Sequence, residues 1–157
     1  MSCLSASISL LHLLRDILVF GDIEMKKIEH IGIAVKDIHK SNIVFEKIFG
    51  KKNYKQEVVE SEGVVTSFFQ IGESKIELVA SSKKDSPIDK FLNKNRQGVH
   101  HIAFSVKDIS KEMKRLQAIG FSLLNETPKK GADNKLICFL DPRETEGVLI
   151  ELCQEIQ

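Results

Sequence analysis

Between residues 28 and 80 the hydrophobic pattern changes period twice. Ile31, Ile33 and Val35 recur at every second position, so residues 28–35 read as a strand. Ile38, Ile43, Val44, Ile48 and Phe49 then fall at helical spacing, which predicts a helix over 38–49 with these residues as its apolar stripe. Gly50 stands where a helix C-terminal glycine belongs. Strands are expected near 53–59, 64–71 and 74–80, punctuated by Gly63 and Gly72. After a polar, lysine-rich connector the plan recurs: a strand over 99–106, a helix around 108–119 with Ile109, Met113, Leu116 and Ile119 as its stripe, Gly120, and strands near 121–125, 135–140 and 147–153. Within the connector, Ser86-Pro87 is an N-cap followed by a first-turn proline, so a short helix is expected at about 87–95.

The recurrence extends to the residues themselves. Ile28-Glu29-His30-Ile31-Gly32-Ile33-Ala34-Val35-Lys36-Asp37-Ile38 aligns without gaps to Val99-His100-His101-Ile102-Ala103-Phe104-Ser105-Val106-Lys107-Asp108-Ile109, histidine on histidine and Val-Lys-Asp-Ile identical in both. Ile76-Glu77-Leu78 recurs as Ile150-Glu151-Leu152 at nearly the same spacing. Two motifs repeating together mark a duplicated module. The expected fold is α+β, built of two tandem βαβββ modules (about 28–80 and 99–155, linker 81–98). Residues 26–157 form that domain.

Strand alternation sorts the candidate residues by face. Ile28, His30, Gly32 and Ala34 share one face, while Ile31, Ile33 and Val35 share the face expected to pack on the helix. His101, Ala103 and Ser105 repeat the arrangement. Each histidine is followed on its own face by small residues, which suits a strand lining a cavity. Glu77 and Glu151 each stand between apolar residues, where a carboxylate is costly unless paired or bound to a metal. Two imidazoles and two carboxylates at equivalent repeat positions make a mixed nitrogen and oxygen shell suited to Co²⁺, Mn²⁺, Ni²⁺, Fe²⁺ or Zn²⁺. By alternation His100 points away from His101 and takes a structural role. His12, His39 and the Cys153 thiol are read as ordinary structural residues.

Composition narrows the setting. A net charge of +1 gives no global field for nucleic acid, and the lysines at Lys83-Lys84, Lys90, Lys94-Asn95-Arg96 and Lys129-Lys130 read as a solvated face. Three cysteines without a CxxC pair argue against a disulfide framework or a thiolate zinc site and fit a reducing, cytoplasmic interior. The apolar stretch Ile8–Phe20 is interrupted by His12, Arg15 and Asp16, too short and broken to span a bilayer. Leu10, Leu13, Leu14, Ile17 and Leu18 suit an amphipathic helix. Residues 1–25 are expected to be an N-terminal appendage, either a transit-like leader to the mitochondrial matrix or an upstream-start extension.

Paired βαβββ modules with a histidine in each first strand and an acid in each last strand resemble the vicinal oxygen chelate, or glyoxalase-like, superfamily. His100-His101-Ile102-Ala103-Phe104, Asp141-Pro142 and Gly147-Val148-Leu149-Ile150-Glu151-Leu152-Cys153-Gln154 are similar to the methylmalonyl-CoA epimerases of that superfamily. The resemblance covers about residues 26–155 and implies that the two modules lie side by side, forming a curved mixed sheet around a metal-binding cleft. It implies a divalent ion, Co²⁺ first and Mn²⁺, Ni²⁺ or Zn²⁺ as alternatives, on His30, Glu77, His101 and Glu151; some members carry glutamine at the Glu77 position. It further implies an acyl-CoA substrate, epimerised through a metal-stabilised enolate with Glu151 as a catalytic base. Exposed strand edges and the module packing lead to the expectation of a homodimer. Relatives that place a glutamate after a Gly-Val-Val run differ from this chain, which reads Gly63-Val64-Val65-Thr66. Threonine is a poor base, so the second base is open, with Glu62 nearby in sequence. A glyoxalase I-type lyase, an extradiol dioxygenase and a metal-free drug-binding module are the rival readings.

Overall fold

Each Val-Lys-Asp-Ile sequence ends a strand and starts a helix. In the computed structural model, which describes residues 25–156, Asp37 and Asp108 are both N-caps, accepting hydrogen bonds from the Lys40 and Lys111 amides at 3.0 and 2.9 Å. The first module runs β1 (Lys27–Ala34), α1 (Ile38–Phe49), β2 (Lys55–Val59), β3 (Val64–Ile71) and β4 (Ser74–Ser81). The connector carries α2 (Pro87–Lys94), capped by the Ser86 hydroxyl. The second module runs β5 (Gly98–Ser105), α3 (Ile109–Ala118), β6 (Lys129–Lys130), β7 (Lys135–Phe139) and β8 (Leu149–Glu155). The amphipathic helix expected within 8–20 lies outside the described residues. Among the described residues, no helix is long and apolar enough to cross a membrane.

The eight strands form one mixed sheet in the order β2-β3-β4-β1-β5-β8-β7-β6. Each module pairs its first strand parallel with its last, β1 with β4 and β5 with β8, and the modules join through antiparallel β1 and β5. The sheet curls until its two ends meet. The loop between β6 and β7 brings Asp133 against β2, where it accepts from Tyr54 Oη at 2.8 Å and Lys55 Nζ at 3.3 Å while its own amide donates to Glu57. Lys129 of β6 reaches Glu62 in the β2–β3 turn at 2.8 Å.

Alternation then assigns the two surfaces. On the convex side Val35, Ile38, Phe69, Leu78 and Ala80 pack with Phe45 and Phe49 of α1. Val106, Ile109, Met113, Leu116, Cys138, Leu140 and Leu152 do the same around α3. The concave side is the cleft, and α2 closes one end of it through Ile88 against Val64 and Val79.

Two expectations are corrected. The buried stripe of α1 is Ile38, Asn42, Phe45 and Phe49, while Ile43, Val44 and Ile48 are 56%, 52% and 64% exposed. Asn42 can occupy the stripe because its amide is matched: Nδ2 donates to Gln56 at 2.9 Å and Oδ1 accepts from Ser67 Oγ at 2.7 Å. The strand expected near 121–125 shrinks to a single bridge, Leu123 to Leu140. There the Asn125 side chain accepts the Phe139 amide and donates to Thr127 O, and Pro128 has no N–H to offer, so regular pairing resumes only at Lys129. The other elements lie within two residues of their expected ends.

Candidate metal centre

The antiparallel ladder between β1 and β5 slips twice. Ile28 pairs with Phe104 but His30 with Ala103, and Gly32 pairs with His101 but Ile33 with Val99. Glu29 and His100 are therefore the extra residues of two bulges. Both turn into the cleft, so the outward, purely structural placement of His100 is corrected. The ladder also explains the small residues. His30 faces Ala103 and His101 faces Gly32, so each ring lies over the small residue of the other strand. A Cβ at Gly32 would run into the His101 ring.

β4 and β8 bring the carboxylates beneath those rings. Glu77 pairs with Gly32, and Glu151 with Ala103, one rung from each histidine. Glu77 Oε2 lies 3.3 Å from His30 Nε2 and 3.2 Å from His101 Nε2. Glu151 Oε2 lies 3.7 and 3.2 Å from the same two nitrogens, which are 2.9 Å apart. The four residues predicted from the repeat thus converge, each at most 5% exposed. His39 is exposed, and the buried Cys153 thiol donates to Glu151 Oε1 at 3.1 Å.

A second ring of residues orients the first. His30 Nδ1 is hydrogen-bonded to Glu29 Oε2, and His101 Nδ1 lies 2.9 Å from His100 Nδ1. An imidazole whose Nε2 is free to donate its electron pair carries its proton on Nδ1, and each Nδ1 here has an acceptor waiting. The two acceptors differ. Glu29 is held by Lys75 Nζ at 2.5 Å and Lys135 Nζ at 3.3 Å; burial would raise its pKa, yet the bonds from His30 and Lys75 keep it well below the usual carboxylate range. His100 packs edge-on to Phe91 of α2, and burial, with His101 beside it, depresses its pKa to about 4.

Burial penalises charge in the inner cluster too, but Glu77 is pulled down to about 2 by His30 and His101. Likewise Glu77, Glu151 and Glu29 push His30 well above its ordinary value against the cost of burial. The pull of the carboxylates on His30 marks the point between the two imidazoles as a place for positive charge, the position a divalent cation would take over from the proton. His30, Glu77 and His101 bring ligand atoms within 4.8 Å of one another, Glu151 Oε2 lies within 3.7 Å of both histidine nitrogens, and both Nδ1 atoms are backed, which fits such an ion.

Around the centre the cleft, a cavity of about 230 Å³, is mostly apolar, walled by Val64, Phe68, Val79, Ile137 and Phe139. Its polar additions include Thr66, Glu62 and Lys129, the last lying 5.7 Å above the Phe139 ring rather than on the solvated lysine face. The other lysines of that run, Lys83, Lys84, Lys90, Lys94 and Lys130, are exposed as expected. Residues 29–139 match the family described as the Glyoxalase/Bleomycin resistance protein/Dioxygenase superfamily. Protein YqjC of Bacillus subtilis, itself uncharacterized, is 42% identical over 83% of this chain and 93% of its own. The mitochondrial methylmalonyl-CoA epimerase of Dictyostelium discoideum is 36% identical over 85% of this chain and 81% of its own. A variant of the Streptomyces coelicolor methylmalonyl-CoA epimerase, in complex with 2-nitronate-propionyl-CoA, superposes with a TM-score of 0.82 at 32% identity, covering 85% of this chain and 99% of that one. The chain belongs to the glyoxalase/bleomycin resistance protein/dioxygenase superfamily and within it is a relative of the methylmalonyl-CoA epimerases.

Proposed function

We propose that the protein is an isomerase that epimerises methylmalonyl-CoA, with a divalent metal ion, Co²⁺ first among the candidates, held by His30, Glu77, His101 and Glu151. The observation that carries this reading is that two carboxylates each come within 3.7 Å of both histidine Nε2 atoms on the floor of an apolar cleft, in a chain 36% identical to a methylmalonyl-CoA epimerase. The reaction asks for the α-proton between a thioester and a carboxylate to be removed from one face and returned on the other. A bound divalent ion would act as a Lewis acid toward the substrate oxygens and stabilise the enolate charge.

The chain's own groups do the rest. Glu151 takes the α-proton on one face; its Oε1 is already a hydrogen-bond acceptor, from Cys153. Glu62, across the cleft in the β2–β3 turn and paired with Lys129, carries the proton for the other face. Glu29 and His100 keep the two histidines oriented with Nε2 inward. The apolar walls exclude water from the carbanionic carbon. We assign the enzyme a homodimeric state, supported by the exposed Ile43, Val44 and Ile48 of α1.

Metal-loaded protein incubated with methylmalonyl-CoA in D₂O should exchange the α-proton while interconverting the epimers. Failure to exchange, with isomerisation of the glutathione hemithioacetal of methylglyoxal instead, would replace this reading with a glyoxalase one. Elemental analysis of Co²⁺-loaded protein should find about one ion per chain, and light scattering should give twice the chain mass.

A further inference from the structure

Among the described residues, one buried polar side-chain atom has no hydrogen-bond partner: Thr66 Oγ1. Thr66 is 2% exposed and lines the cleft. It pairs with Val79 on β4, while Phe68, two residues along the same face of β3, pairs with Glu77. Thr66 therefore stands one step along the cleft floor from a residue of the metal centre, about 7 Å by strand geometry. Its neighbours along β3 and β4 on that floor, Val64, Phe68 and Val79, offer no polar atom, and the carboxylate of Glu57, its partner on β2, is engaged by the Asp133 amide and Lys55 instead.

The next residue shows what a satisfied hydroxyl looks like in this strand. Ser67, on the other face, donates to Asn42 at 2.7 Å. Val64 and Val65 show that the chain lines the same strand with valine, which matches threonine in shape and has no hydroxyl to strand. An orphan hydroxyl in a dry wall is a standing cost that a ligand oxygen would relieve.

We propose that Thr66 is a substrate-contacting residue whose hydroxyl donates a hydrogen bond to the free carboxylate of the acyl group. The identity of that acyl group rests on the epimerase reading above. The carboxylate is favoured over the thioester because it has two acceptor oxygens, so one engaged at the metal centre leaves the other for Thr66. The thioester carbonyl has one. Thr66 holds the acyl group in place and moves no proton.

The test compares wild type, Thr66→Val and Thr66→Ser in the full-length, metal-loaded protein. Methylmalonyl-CoA and propionyl-CoA, which lacks the carboxylate, serve as probes by calorimetry. Thr66→Val should weaken methylmalonyl-CoA binding about tenfold, the scale of a hydrogen bond to a charged group, and raise KM accordingly. Propionyl-CoA binding should not change, Thr66→Ser should restore most of the loss, and metal content should be equal in all three. Without ligand, Thr66→Val should melt about 2–4 °C higher than wild type, since it removes the stranded hydroxyl. Equal methylmalonyl-CoA binding by wild type and Thr66→Val, or an equal penalty with propionyl-CoA, overturns the assignment. A wild type that binds methylmalonyl-CoA without exchanging its α-proton overturns the epimerase reading alone, because the binding comparison still reports on Thr66. A wild type that binds neither thioester overturns both.

Discussion

The two modules carry the same backbone and different electrostatics. At equivalent positions each first strand bulges one residue before its histidine and turns that residue back onto the histidine Nδ1. In the first module the residue is Glu29, an anion fixed by Lys75 and Lys135 and tied through Lys75 to the Asp133 latch that joins the sheet ends. In the second it is His100, an imidazole held neutral by burial and packed on Phe91. Duplication has kept the inner histidines and glutamates and the bulges, and let their supports diverge. The first half anchors charge and, through Lys75, holds the latch between the sheet ends. The second presents a softer, neutral flank against the connector helix.

The sharpest way to break that comparison is to exchange the two carboxylates for amides. Glu151→Gln should lower α-proton exchange by roughly 10²-fold or more, the scale of a lost general base. Glu77→Gln, whose carboxylate has no proton-transfer role, should cost at most about tenfold, since an amide oxygen can still serve as a ligand. Equal losses would mean that the halves are chemically equivalent and Glu151 is not the base. Glu62→Gln should approach the Glu151→Gln loss in exchange while keeping full metal content, which separates proton transfer from metal binding.

The supports come next in size. Glu29→Gln should weaken metal affinity about 10–100-fold, the range for a lost outer partner of a ligating histidine. His100→Gln should cost less, because a charge-assisted bond is about twice as strong as a neutral one. Isothermal metal titration of both variants reads the ratio directly, and a larger loss for His100→Gln would reverse the roles assigned to the two halves. Smallest of all should be deletion of residues 1–24, which we propose to be dispensable. Turnover and metal content should match the full chain, and a large drop in specific activity would show that this segment packs on the cleft.

Much of the site is legible in the chain because a repeat carries its own control. His30 with His101, and Glu77 with Glu151, stand out since each makes an exception to its surroundings twice. The alternation rule then sends all four to one face. What escapes is whatever departs from strict alternation or acts across the cleft. Glu29 and His100 are displaced by bulges that only the pairing register reveals. The equivalence of those two positions in the repeat was the available signal. Asn42 hides in the α1 stripe because its partners, Gln56 and Ser67, come from other strands. The helix is therefore turned away from Ile43, Val44 and Ile48. Lys129 reads as part of a solvated face, and Asp133 gives no signal of its own, until curvature of the sheet sets them against Glu62 and Tyr54.

The interlock of His101 over Gly32 and His30 over Ala103 has a consequence for how the protein matures. Each half supplies one ring and the hollow for the other's ring, across residues 71 apart in sequence. A nascent chain that has emerged only as far as β4 holds His30 and Glu77 but neither His101 nor Glu151, so it offers half a coordination shell and a weak hold on any ion. Closure of so long a loop is a late event in folding. Metal capture at the proposed site would thus follow completed synthesis and folding, so that a half-built chain would hold no ion firmly.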